Sequence, residues 1–324
     1  MIAQCWYQNN WISKLLLPVS GIFCGVVQLR RWAYRRAWLR SYRSPIPIIV
    51  IGNVSVGGTG KTPLVIWLAQ YLTQQGWKVG IISRGYGGHA PSYPYPVAQN
   101  SPVSHVGDEA LLLARTQCPV VVAPRRVLAL QYLLKQQSCD VILSDDGLQH
   151  YALQRDIEIA VLDGQRGLGN GYCLPAGPLR ELPSRLQHVD FIVSKTSAWQ
   201  NAIVMTYTIT QLHAVTERTM TQSLQPFVGQ TVHAVAGIGH PEAFFTQLEQ
   251  HGMQLIRHVF PDHHAYRKSD ITFTDALPVV MTEKDAVKCV TIADNRHWYV
   301  SITAQLPDNF GKQVVQRLRE IHHG

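Results

Sequence analysis

The stretch from Ile46 to Pro63, IPIIVIGNVSVGGTGKTP, constrains the fold of this chain more than any other. A β-rich run, Ile46–Ile51, breaks into glycines and then into Lys-Thr, and Thr62–Gln75 carries Leu64, Ile66, Leu68, Tyr71 and Leu72 at helical spacing. Strand, glycine loop and helix in that order form a phosphate-binding loop, Ser55, Val56, Gly57, Gly58, Thr59, Gly60, Lys61 and Thr62. The glycines let the backbone turn its N–H groups onto a polyphosphate, Lys61 can reach the outer phosphates, and the Thr62 hydroxyl is placed to hold Mg²⁺. Ser55 stands where the strict pattern G-x-x-x-x-G-K-[ST] asks for its first glycine. The competing reading is a glycine-rich turn with an incidental lysine. The strand before it and the helix after it weigh against that.

Further strand–helix units follow. Lys78–Ile82 reads as a strand ending in the basic turn Ser83-Arg84-Gly85-Tyr86-Gly87-Gly88, and the proline- and tyrosine-rich Ala90–Pro102 reads as a surface loop. Gly107-Asp108-Glu109 opens a helix with two carboxylates in its first turn, where the helix dipole favours negative charge; a plain N-terminal cap is the alternative. Pro119–Ala123 is a buried-strand run, followed by Arg125-Arg126 and a helix over Val127–Gln136. Val141–Leu143 then runs into Ser144-Asp145-Asp146-Gly147-Leu148-Gln149-His150. Acidic residues at a strand's carboxyl end form the second half of a nucleotide-triphosphate site, where a carboxylate holds Mg²⁺ directly or through water. Ile157–Leu162 and Phe191–Val193 supply more strands, separated by the long irregular segment Gly164–Leu186. Such alternation implies an α/β fold: a mainly parallel P-loop-type sheet with helices on both faces and ligands along the strands' carboxyl edge.

The expected organisation is an N-terminal segment over 1–44, a P-loop kinase-like unit over 45–205 and a smaller α/β lobe over 206–324. In the last, Val232–Ala236, Pro241–His251 and Met253–Val259 repeat the strand–helix–strand pattern, and Phe310–His322 reads as a closing helix. Asp262-His263-His264 follows a strand and so lies at a loop edge, as a metal site short of ligands or as a surface turn.

The formal net charge of +8 is concentrated at one end. Residues 1–44 hold Lys14, Arg30, Arg31, Arg35, Arg36, Arg40 and Arg43 with no Asp or Glu, which leaves 29 − 7 = 22 cations against 21 anions elsewhere. That distribution argues against a nucleic-acid groove. The apolar run Leu15–Leu29 would reach only about 22 Å as a helix, short of the roughly 30 Å hydrocarbon core. Beside it, Trp32, Tyr34, Trp38 and Tyr42 alternate with arginines. This suits an amphipathic helix lying in the headgroup layer of an anionic membrane; a helix packed on its own domain is the alternative. The cations follow the apolar run instead of preceding it, unlike a signal peptide, so the bulk is expected in the cytoplasm. Six scattered cysteines, without metal-ligand spacing, suit a reducing compartment.

With these pieces placed, the chain resembles the tetraacyldisaccharide 4′-kinase (lipid A 4′-kinase) family. The resemblance rests on Gly52–Pro63, Ser83–Gly88, Val106–Glu109, Ser144–His150, Leu174–Glu181, Phe260–His264 and Thr282–Lys288, in that order. The family's phosphate loop has the same form, serine included. The resemblance implies ATP-dependent phosphorylation of the 4′-hydroxyl of a tetraacylated glucosamine disaccharide 1-phosphate at the cytoplasmic face of the inner membrane. It implies that Lys61 and the loop amides bind the β- and γ-phosphates of ATP and that Thr62, Asp145 and Asp146 organise Mg²⁺. It implies an Asp–His pair, Asp108 with His263 or the adjacent His264, that takes or orients the sugar hydroxyl proton. Glu109, Arg84, Gln149 and His150 are further candidates for Mg²⁺, phosphate or sugar contacts.

The rival from another class is a membrane-associated regulatory P-loop ATPase switch. Such switches carry a lysine immediately before the paired glycines, and here that residue is Val56.

Overall fold

The computed structural model describes residues 6–7, 10–217 and 219–323. Residues 1–5, 8 and 9 of the N-terminal segment, Cys5 among them, lie outside the described residues. In chain order the strands are β1 (Ile48–Gly52), β2 (Val79–Ser83), β3 (Tyr95–Val97), β4 (Val120–Val122), β5 (Val141–Asp145), β6 (Ile157–Asp163), β7 (Phe191–Lys195), β8 (Ile203–Ala214), β9 (Thr221–Gln222), β10 (Thr231–Ala236), β11 (Gln254–Val259), β12 (Val279–Thr282) and β13 (His297–Gln305). They form one sheet in the order β11-β10-β12-β13-β8-β7-β6-β1-β5-β2-β4-β3, with β9 beside β8. Pairings are parallel except β13 with β8, β8 with β9 and β3 with β4. β1 is buried along its whole length because helices cover both faces, which is why its sequence is continuously apolar instead of alternating.

β8 joins the two halves. Ile203–Met205 pair in parallel with Val193–Lys195, and the same strand continues antiparallel to β13 from Thr206 to Ala214. The sheet therefore runs unbroken through the point where the sequence suggested a fresh start. The closing helix, Asp308–His323, returns across it: Phe310, Val314 and Leu318 are buried in one core with Leu64, Leu68 and Leu72 of the Lys61–Gln74 helix. The last helix thus packs on the phosphate-loop half. Tyr95–Val97, within the stretch read as a loop, pairs with Val120–Val122 as the edge strand, and Pro96 is tolerated there because an edge leaves an N–H unpaired.

The N-terminal segment forms the Leu17–Arg35 helix. Pro18 does not break it, because it falls in the first turn where its missing N–H would have no partner. Ser20 donates to the Cys173 carbonyl (2.8 Å), and the rings of Tyr34 and Tyr151 lie 6.2 Å apart, so one face of the helix rests on the main body. Val19, Ile22, Val26 and Leu29 are all more than half exposed on another face, as are Trp11 and Leu15 of the short Trp11–Leu15 helix that precedes it. No helix among the described residues is long and apolar enough to cross a membrane.

Candidate active site

The carboxyl ends of β1, β2 and β5 and the loop after β11 converge on one cleft edge. After β1 the chain stays extended: Ser55 bridges Leu179, Val56 N–H donates to the Pro178 carbonyl (2.8 Å) and Arg180 N–H to the Val54 carbonyl (2.7 Å). Ser55 has no positive φ, so the position needs no glycine. The bend falls later. Gly57 and Gly60 have φ of 115° and 92°, and a Cβ on Gly57 or Gly58 would meet nothing within 4 Å, so this part of the loop faces open space. Gly60 is different, because the Tyr207 hydroxyl of β8 packs directly on it. Asn53 Nδ2 braces the loop through Thr59 Oγ1 (3.2 Å). The loop ends at the N-terminus of the Lys61–Gln74 helix, whose first N–H groups point at the same opening.

Two carboxylates face the loop with different surroundings. Asp145, at the end of β5, is 1% exposed; one oxygen accepts from Ser83 Oγ (3.1 Å) and Oδ1 has no partner. Burial, then the nearby charges of Glu109 and Asp146, push its carboxyl up to about 7 against the pull of Lys61 and Arg126. Asp146, at φ 46°, receives Arg180 at 3.0 Å and Lys61 Nζ at 3.7 Å. Burial opposes its charge, but Lys61 and Arg180 more than offset that and hold its carboxyl below the usual range. An orphaned buried carboxylate oxygen within reach of a second carboxylate, Glu109, fits a divalent cation, and the hydroxyl of Thr62 at the end of the phosphate loop is a further oxygen donor. Asp146 is already engaged by its two cations.

Across the cleft, Gly107 (φ 82°) lets the Asp108–Leu113 helix start against the Tyr86 carbonyl, where a Cβ would collide. Asp108 is 3% exposed; its Oδ1 accepts the Glu109 N–H (2.9 Å) and its Oδ2 lies 3.0 Å from His263 Nδ1. The histidine comes from the loop after β11, at φ 62°, with the Tyr86 ring 5.2 Å away. His264 turns the other way, to Asp270 at 3.1 Å, and packs between Phe260 and Tyr266. Of the two histidines, His263 is therefore the one that meets Asp108.

The remaining sequence candidates fall around this centre with unequal involvement. Gln149 Nε2 donates to the Asn53 carbonyl (3.0 Å) and to Glu181 (2.8 Å), so its amide braces the loop. Half-buried His150 has an unpartnered Nε2, and burial, then Arg126, Arg155, Arg30 and Arg84, push its pKa down to about 4. Arg84 is exposed. Sequence reasoning missed four residues. Arg126 is 4% exposed and donates to the carbonyls of both Asp145 and Asp146 at 3.2 Å. Arg180 pairs with Asp146, Glu181 holds Gln149 and Tyr151, and Lys284 meets Asp108 and Glu109 at 3.8 Å each. Arg126 had the signal of an arginine pair just after a strand end. The others stood inside matched motifs without any chemical pattern of their own.

The family profile of Tetraacyldisaccharide-1-P 4'-kinase matches residues 12–319. The Tetraacyldisaccharide 4'-kinase of Nitrosococcus oceani is 49% identical over 99% of this chain and 95% of its own, and that of Tolumonas auensis is 44% identical over 100% and 99%. A crystal structure of LpxK from Aquifex aeolicus in complex with ATP superposes with a TM-score of 0.78 at 25% identity, covering 95% of this chain and 99% of that one. A nucleotide-binding loop facing paired carboxylates, matched from end to end by these kinases, settles the assignment: the chain belongs to the tetraacyldisaccharide 4′-kinase family, ATP-dependent kinases of lipid A biosynthesis.

Proposed function

We propose that this kinase transfers the γ-phosphoryl group of ATP to the 4′-hydroxyl of a tetraacylated glucosamine disaccharide 1-phosphate, with Asp108 accepting the hydroxyl proton. The observation that carries the reading is the buried Asp108 carboxylate, bound to His263 at 3.0 Å and followed in the chain by Glu109, whose charge acts on Asp145. The 4′-oxygen attacks phosphorus in line, its proton passes to Asp108, and ADP leaves. His263 orients the carboxylate. Lys61 and the amides of Gly57–Thr62 hold the β- and γ-phosphates. Thr62, Asp145 and Glu109 would hold Mg²⁺, which would supply neutralisation of phosphate charge, while Asp146 positions Lys61 and Arg180.

The exposed apolar stripe of the Leu17–Arg35 helix, with arginines and no acidic residue beside it, supports a peripheral position on an anionic membrane, at the cytoplasmic face of the inner membrane. The substrate's acyl chains would then stay in the bilayer while the sugar reaches the cleft. Phosphoryl transfer from γ-³²P-ATP to the purified disaccharide 1-phosphate, in mixed micelles with folded full-length protein, tests the reading; no labelled lipid would sink it.

A further inference from the structure

Thr282–Lys288 matches the family, yet none of its residues enters the chemistry above. Its geometry is well defined. Thr282 caps the Glu283–Cys289 helix by accepting the Asp285 N–H (3.2 Å), and fully buried Asp285 accepts from Gly237 N–H (2.8 Å) and Thr282 Oγ1 (2.6 Å). Lys288 reaches the same carboxylate at 2.9 Å. This anchoring aims the first turn of the helix at the opposite wall of the cleft. There Glu283 pairs with Arg115, and Lys284 enters a nest of polar groups: Nζ is 3.0 Å from Asp262 Oδ1, 3.4 Å from His263 Nε2, and 3.8 Å from both Asp108 Oδ2 and Glu109 Oε1.

We propose that Lys284 is a positioning residue that holds the His263 ring in its Nδ1–H tautomer, so that the ring always presents a donor to Asp108. The inference rests on the reading of Asp108 and His263 as the proton-accepting pair. The argument is one of hydrogen-bond inventory. An ammonium has donors only, so a ring nitrogen facing it must offer a lone pair, and in a neutral imidazole the proton then sits on the other nitrogen. That nitrogen is Nδ1, against Asp108 Oδ2. One contact competes: Asp262 Oδ2 lies 3.9 Å from His263 Nε2 and would draw a proton onto it. Lys284 counters this twice, by standing closer to Nε2 and by pairing with Asp262 itself. Without Lys284 the ring is free to give Nε2–H to Asp262, which would leave two lone pairs facing each other across the Asp108 contact. The Tyr86 ring on the far side offers no competing charge.

The test uses full-length, detergent-solubilised enzyme labelled with ¹⁵N-histidine, with the His263→Gln spectrum assigning the resonance. Long-range ¹H–¹⁵N correlations should report Nδ1–H in the parent and a shift toward Nε2–H in Lys284→Met. In the same variant kcat should fall by about 10–100-fold, the scale on which a misplaced catalytic group acts, with KM for ATP unchanged. Lys284→Arg, which also only donates, should restore the tautomer and most of kcat. If Lys284→Met does not fold, Lys284→Leu, which likewise offers no donor, is read in the same way. An unchanged tautomer, a changed tautomer with full kcat, or an arginine that restores neither would overturn the proposal. Near-normal turnover by Asp108→Ala would instead remove the underlying pair, whatever Lys284 does.

Discussion

His263 Nδ1 lies 3.0 Å from Asp108 Oδ2, a contact between residues 155 positions apart that come from opposite sides of the cleft. The carboxylate is buried and the imidazole about one-third exposed, so the histidine is the member of the pair that solvent reaches. With Asp108 as base, Asp108→Ala should lower kcat by roughly 10²–10⁴-fold while a fluorescent ATP analogue still binds. Turnover near the parent's would remove Asp108 from the chemistry.

Gly60 combines a left-handed φ with the Tyr207 hydroxyl packed against it. Gly60→Ala is expected to weaken ATP binding at least about tenfold, since strain of about 1–3 kcal/mol falls on the loop that must wrap the phosphates. Adding Tyr207→Phe removes the colliding oxygen and should recover part of the affinity, the backbone penalty remaining. Titration calorimetry on both variants decides it, and no recovery would mean that Tyr207 is not the obstacle.

Asp285 has no exposure and holds a backbone N–H, a hydroxyl and the ammonium of Lys288. Removing it strands a nearly buried cation, a loss of about 3–5 kcal/mol by the usual cost of breaking a buried pair. Urea denaturation of Asp285→Ala should register this. A change within experimental error would show that water satisfies Lys288.

His150 provides a pH signature. Its folded pKa, about 4, lies below the ordinary 6.5 because burial and four arginines oppose its charge. The unfolded chain therefore binds more protons between those values, and its stability contribution is present above 6.5 and lost as pH falls toward 4. His150→Gln should flatten the slope of the melting temperature over that window. An equal slope in both proteins would count against a neutral buried imidazole.

Burying Leu15, Ile22 and Leu29 in a bilayer would stabilise the bound state by about 1.5–3 kcal/mol each at most. The triple change of these residues to glutamate should cut sedimentation with vesicles containing phosphatidylglycerol by more than about tenfold and leave the melting temperature nearly unchanged, because all three are exposed. Undiminished sedimentation would place membrane contact elsewhere.

The sequence by itself determined the phosphate loop, the acidic strand end after Leu143 and the alternation that makes a parallel sheet, because each is a local pattern whose spacing carries its physics. It also located the concentrated charge of the first 44 residues. Only the tertiary structure decided which of two adjacent histidines meets Asp108, because one left-handed residue turns His263 and His264 to opposite sides. The same holds for β8, shared between two halves, and for the last helix, which crosses back to pack on the first, since both depend on partners far away in the chain. Arg126, Arg180 and Lys284 likewise gain their meaning from what they neutralise. A lone cation in a sequence is a solvated side chain until folding places a carboxylate beside it.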